Sequence, residues 1–244
     1  MIFNYKKFFI ALFVCSFSFS FAQDFGINIG ADVVSRYIWR GINVNDAINI
    51  QPSLVLSGAG LSGGFWGSYS LSNNPEYNAL SQEIDTWISY THQFENSLSL
   101  SVVLTDYYFP QAGMKWGNFN NYNDPNGPGA HTIEAGLIFS GTESFPITLS
   151  GYVNIHNDAG NNTYFQMDYP VSIAETDLSF FIGASGGSKD NPKYYGTEKF
   201  NVINLGVKAL RYIRITEEYS LPISVAFSIN PRSEISYLVF GATF

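Results

Sequence analysis

Cysteine occurs once in the 244-residue chain, at Cys15. It falls in an amino-terminal stretch that reads as a leader, so the remainder carries no thiol. Disulfides and thiolate metal sites are excluded there. Charge is scarce: Asp, Glu, Lys and Arg make up 13% of residues, with a formal net charge of −8. An acidic chain is a poor candidate for nucleic-acid binding, which depends on neutralising phosphate. Paired histidines are missing too. His92, His131 and His156 form no HxxxH spacing, and no metal or other cofactor is expected. Past Ala22, no apolar run approaches the roughly 20 residues of a membrane helix. Aromatics, by contrast, reach 17%. Few charges and many Phe and Tyr suit a surface facing lipid.

The two ends agree on the compartment. Lys6 and Lys7 precede an apolar run from Phe8 to Val14 that continues, interleaved with Ser, to Phe21. Ser20-Phe21-Ala22 then offers a small-x-small cleavage site, so residues 1–22 read as a secretory signal peptide and 23–244 as the mature domain. At the other end, Leu238, Phe240, Ala242 and Phe244 share one face of a strand. This pattern is similar to the terminal strand of bacterial outer-membrane barrels. In those proteins the last Phe is part of the signal read by the barrel-assembly machinery, which makes Phe244 the expected assembly signal.

Alternation of apolar and polar residues recurs between the ends. It predicts strands over about 25–39, 47–57, 61–71, 82–94, 98–109, 131–140, 147–156, 163–173, 178–185, 200–209, 219–229 and 236–244. In the first, Phe25, Ile27, Ile29, Ala31, Val33, Tyr37 and Trp39 share a face, with Asn28, Asp32, Arg36 and Arg40 opposite. The polar sides of the later strands are mostly Ser, Thr, Asn and Gly. Connections alternate as well. They are tight at 57–60, 95–97, 141–146 and 174–177, and long and rich in Asn, Gly and Pro at 72–81 and 110–130. Short turns on one rim and long loops on the other are the layout of outer-membrane barrels. The stretch 210–218 is long for a tight turn and reads as an extension of its two strands. The expected fold is therefore all-β: a closed antiparallel transmembrane β-barrel of about 12 strands. A soluble sandwich or lipocalin-like barrel also alternates, but with the apolar face inward.

Two enzyme-like motifs fail on context. Gly58-Ala59-Gly60-Leu61-Ser62-Gly63 matches GxGxxG, yet a dinucleotide site needs a helix after it and here a strand pattern follows. Gly183-Ala184-Ser185-Gly186-Gly187 matches GxSxG but runs into Lys189-Asp190-Asn191-Pro192 rather than a helix. No catalytic residue is assigned. The charges on the polar parity are more informative: Asp32, Arg36, Arg40, Glu83, Asp85, Glu134, Asp168 and Lys208 should face the lumen. The first six are the expected constriction, with arginines on one wall and acids on another. Rings of charge of this kind set ion selectivity in pores. The alternative is that these residues pair with one another and fill a narrow lumen, since 12 strands fall well below the 16–18 of an open porin.

Several segments resemble the TorF family of proposed porins, a conserved barrel family. Ser35-Arg36-Tyr37-Ile38-Trp39-Arg40-Gly41-Ile42 looks like its early YxxRGI strand, and Gln51-Pro52-Ser53-Leu54 like the strand that follows. Glu83-Ile84-Asp85, Asp106-Tyr107-Tyr108-Phe109-Pro110 and His131-Thr132-Ile133-Glu134 resemble later segments. The resemblance implies an outer-membrane pore with no assigned substrate. The expected function is a porin passing small hydrophilic solutes or ions, weakly cation-preferring, surrounded by outer-membrane lipid. Two other readings stay open: a plugged barrel acting through its outer loops, and a barrel-wall hydrolase.

Overall fold

The structure is a computed structural model that describes residues 25–72 and 82–244. The expected signal peptide and most of the 72–81 connection lie outside the described residues. Fourteen strands follow in order: β1 (Gly26–Val34), β2 (Tyr37–Trp39), β3 (Ile42–Asn45), β4 (Asn49–Gly58), β5 (Leu61–Ser70), β6 (Gln82–Gln93), β7 (Ser99–Tyr108), β8 (His131–Thr142), β9 (Phe145–His156), β10 (Thr163–Ile173), β11 (Thr176–Ser185), β12 (Asn201–Arg214), β13 (Ser220–Asn230) and β14 (Ile235–Thr243). Twelve of them close an antiparallel barrel, and β2 with β3 form a separate two-stranded sheet.

Closure leaves the twelve-strand wall without a free edge. The seam is the shortest ladder. β1 meets β14 at Asp32–Thr243, Val33–Ala242 and Val34–Gly241. Ala31 and Phe244 then exchange backbone hydrogen bonds at 3.1 and 2.9 Å, and Ser35 N donates to Phe240 O at 2.8 Å.

The barrel is inside out relative to a soluble one. Ile27, Phe65, Ile88, Val102 and Leu137 lie exposed on the exterior, whereas Gln51, Ser68, Glu83, Glu134, Asn154, Asn204 and Ser228 are buried. This decides which face of the alternating pattern is which. The lipocalin-like arrangement would place the same apolar residues inside.

The rims differ as the pattern implied. On the rim near Gly26, turns are tight, as in the two-residue turn Ala59-Gly60 (φ 53° and 79°) between β4 and β5. That turn is where GxGxxG falls. β12 and β13 do extend toward each other, pairing as far as Arg214–Ser220. The opposite rim carries the long connections, including 109–130 between β7 and β8, which holds a single 3-10 turn at Pro110–Ala112.

The first expected strand is the one that does not hold. The wall strand stops at Val34, the chain bends at Ser35-Arg36, and Tyr37 to Asn45 fold back as the β2–β3 hairpin. Arg40 (φ 50°) and Gly41 (φ 77°) form its two-residue loop. Two successive left-handed residues make a type I′ turn, whose twist suits a tight hairpin. Residue parity is the same in a hairpin arm as in a wall strand, so alternation could not separate them.

Candidate functional site

The hairpin crosses the inside of the barrel. It leaves the wall between β1 and β4, and its tip reaches β8, β9 and β10 on the far side. Gly41 makes this approach possible. A Cβ there would stand 2.0 Å from the carbonyl oxygen of Ile203 on β12, so the hairpin backbone lies directly on the wall. Asn230 Nδ2 on β13 donates to Gly41 O at 3.0 Å from the other flank.

Arg40 is the centre of the site. Its guanidinium donates from Nη1 to Glu134 Oε2 at 2.6 Å and from Nη2 to Glu134 Oε1 at 2.8 Å. A two-pronged fork of this type is the strongest geometry an arginine–carboxylate pair adopts. Nη1 also donates to the Tyr195 hydroxyl at 2.6 Å, and Tyr107 OH donates to Glu134 Oε1 at 2.9 Å. The rings of Trp39, Tyr152 and Tyr164 lie 4.6, 4.3 and 4.6 Å from the guanidinium carbon. Trp39 stacks on Tyr195 with centroids 5.7 Å apart. Around this charge the described residues build their apolar cluster: buried Tyr164, Tyr195 and Ile203, with Trp39, Ile42, Tyr152 and Tyr194 packed against them. The apolar packing of this barrel is thus inside the lumen, on the hairpin.

Below the cluster a polar ladder lines the wall. Asn204 Nδ2 donates to Tyr164 OH, Tyr164 OH donates to Gln166 Oε1 at 2.5 Å, and Gln166 Nε2 donates to Asp168 at 2.9 Å.

The charges expected to form one constriction are distributed instead. Arg40 and Glu134 are brought together. Arg36 sits at the hairpin base, paired with Asp46 at 3.1 Å and partly exposed. Asp32 accepts from Thr243 at the seam, at 2.5 Å. Lys208 is exposed on β12 and makes no ion pair among the described residues. Glu83 and Asp85 lie side by side on β6, both buried, with the hairpin's Tyr37 as their polar neighbour. Glu83 Oε2 and Asp85 Oδ1 have no hydrogen-bond partner, and no cation pairs with either among the described residues. The arginine wall read from parity is therefore not a wall. One arginine is a local strut and the other a plug tip.

The tyrosines were the larger omission. Tyr195 lies in the connection between β11 and β12, where no periodicity marks it. Tyr107 and Tyr108 are adjacent and face opposite ways, so sequence left their phase open. Tyr107 turns inward to Glu134, while Tyr108 stacks on His131 at 5.1 Å.

Outer loops are pinned by two further networks. His131 is fully buried, with Nδ1 at 2.8 Å from Asp106, Nε2 at 2.5 Å from Trp116 O, and the Phe119 ring stacked on it at 3.8 Å. Both ring nitrogens are engaged, and neither partner is a serine. Asp158 accepts from Asn154, Asn162 and Asn191 side chains at 2.8 to 3.0 Å, and from the Gly160 and Asn162 amides. Burial opposes its charge, but these donors outweigh burial and hold its carboxyl below the ordinary 3.8. Ser185, in the GxSxG segment, is buried and accepts from Gly187 N at 3.0 Å.

Residues 20–219 match the model of Gcw_chp, described as a bacterial protein of unknown function. The chain belongs to the Gcw_chp family. The match runs from before β1 through β12, so it takes in the hairpin, Glu134 and Tyr195. Its description names neither TorF nor porins, and the TorF resemblance gains nothing from it. No curated protein matches the chain. For this Gcw_chp barrel, function has to be argued from the lumen itself.

Proposed function

We propose that the protein is a bacterial outer-membrane channel for small hydrophilic solutes, obstructed in its outer half by the β2–β3 hairpin. A closed 12-strand barrel with apolar exterior and polar interior supports the membrane location. The observation that carries the gating part is the Arg40–Glu134 fork, which ties the hairpin tip to the opposite wall. Beside the hairpin, Glu83 and Asp85 have no cationic partner among the described residues, which leaves at most a weak preference for cations. No chemical step is assigned to the barrel.

Planar-bilayer conductance of refolded protein tests the reading. The wild type should give small or intermittent steps. A variant with residues 36–46 replaced by Asn-Gly should give larger, steady ones. Absence of conductance from both proteins would sink it.

A second reading, a plugged barrel acting through its outer loops, is favoured by the 109–130 connection. His131 fixes this loop, yet Trp116 and Tyr122 stay exposed. Unchanged surface binding after deletion of 115–128 would count against it.

A further inference from the structure

The outer rim holds a cleft of about 610 Å³, lined by Lys193, Lys199 and Arg232 together with Glu198, Thr197 and Asn201. Three cations against one acid is unusual in a chain of net charge −8. None of the three makes an ion pair among the described residues. A second cavity, about 330 Å³, shares Lys193, Gly196 and Arg232 and reaches inward to Tyr195 and the hairpin residues Gly41 to Asn43. The two cavities thus share three lining residues, and the inner one is lined by Tyr195, the residue whose hydroxyl accepts from Arg40.

The scaffold under these cations is fixed. Thr197 is buried; its hydroxyl donates to Lys199 O at 2.7 Å and accepts from Lys199 N at 3.2 Å and Asn201 Nδ2 at 2.7 Å. Ser188 N donates to Thr197 O at 3.2 Å, and Asn191 ties the start of the loop to Asp158 at 2.8 Å. Across the cleft, Asn230 Oδ1 accepts from Arg232 N at 3.0 Å and Ser233 N at 3.2 Å. Gly196 faces open space, with nothing within 4 Å of where a Cβ would stand.

β12, at the edge of this cleft, stands half-way round the ring from β6 with Glu83 and Asp85. The exposed cations of this cleft lie on the β11–β12 and β13–β14 connections, across the ring from the acids of β6.

We propose that this cleft binds a small solute through a phosphate group. Three cations lining one cleft match a group carrying close to two negative charges at neutral pH better than a single carboxylate. The volume suits a sugar-sized molecule, within the roughly 300–1,000 Å³ of ordinary ligand pockets. The phosphate can come from a free ester or from a lipid of the outer leaflet. Binding does not depend on the barrel conducting, so this inference and the channel reading fail separately.

Calorimetry on detergent-refolded protein tests it, with inorganic phosphate, glucose 6-phosphate, glucose and lipid A in mixed micelles as probes. Glucose 6-phosphate should bind and glucose should not. Lys193→Ala, Lys199→Ala and Arg232→Ala should each weaken binding about 5- to 10-fold, as expected for loss of one charge-assisted contact. Raising NaCl to about 0.5 M should weaken it in the wild type, where the Debye length shortens to a few ångströms. Binding of lipid A without the free ester would assign the phosphate to lipid. Phosphate probes indistinguishable from glucose, or undiminished binding in the triple variant with its β-sheet circular dichroism intact, would overturn the proposal.

Discussion

Arg40 and Glu134 are 94 residues apart in sequence and joined by two hydrogen bonds of 2.6 and 2.8 Å inside the barrel. One belongs to a turn and the other to the wall. Together they convert an inter-strand connection into a fixed obstruction.

Breaking that pair should release the hairpin. Arg40→Ala leaves the buried Glu134 uncompensated, and breaking such a pair typically costs about 3–5 kcal/mol. The expected outcome is a lower urea midpoint in detergent together with larger single-channel steps. Arg40→Lys should rescue only part of both, because an ammonium cannot form the fork or lie flat against Trp39, Tyr152 and Tyr164.

Gly41 should tolerate no side chain. Gly41→Ala puts a Cβ 2.0 Å from Ile203 O at a φ of 77°. The hairpin must then move off β12, at a cost of about 1–3 kcal/mol from backbone strain alone. Conductance should rise as in Arg40→Ala, even though Arg40 and Glu134 are untouched. Wild-type conductance in this variant would show that the hairpin does not depend on close contact with β12.

Glu83 and Asp85 should behave oppositely to Glu134. Neither has a cationic partner among the described residues, so Glu83→Gln with Asp85→Asn removes two buried, unpaired carboxyl groups without orphaning a cation. The double variant should unfold at the same or higher urea concentration than wild type and lose cation preference in reversal-potential measurements. Unchanged selectivity would remove these two residues from the conduction path.

Asp158 should make its loops acid-sensitive. Its folded carboxyl titrates below its unfolded value, so its stabilisation is complete above the ordinary 3.8 and is lost as pH falls through the folded value. Amide exchange in 157–162 and 188–199 should speed up in that acid window, while the strands stay protected. Asp158→Asn should show fast exchange already at neutral pH.

Twelve wall strands were readable from alternation, because a period-two pattern repeats whatever the strand's neighbours are; connection lengths gave the rim asymmetry, and burial in the closed ring decided which face is which. The limit appears at Tyr37 to Asn45. Its parity is as good as that of β1; the bend at Ser35-Arg36 takes it off the wall, and the paired left-handed residues Arg40 and Gly41 reverse it. Arg-Gly is weaker than Asn-Gly as a hairpin signal, so the turn passed as strand. Glu134 and Arg40 were both legible as lumen-facing, and which acid meets which arginine was not. Parity states a side, while distance across a barrel depends on strand order and closure.

Sequence by itself determined an all-β chain of about twelve strands, because period-two alternation broken by turn-rich connections admits little else. Tertiary structure decided what the polar side chains do. Closing the ring set β8, β9 and β10 opposite β1 and β4, and only across that gap could one arginine meet one glutamate. The same closure placed Lys193, Lys199 and Arg232 around one cleft. Contacts between residues far apart in the chain are properties of the closed ring, and no local pattern encodes them.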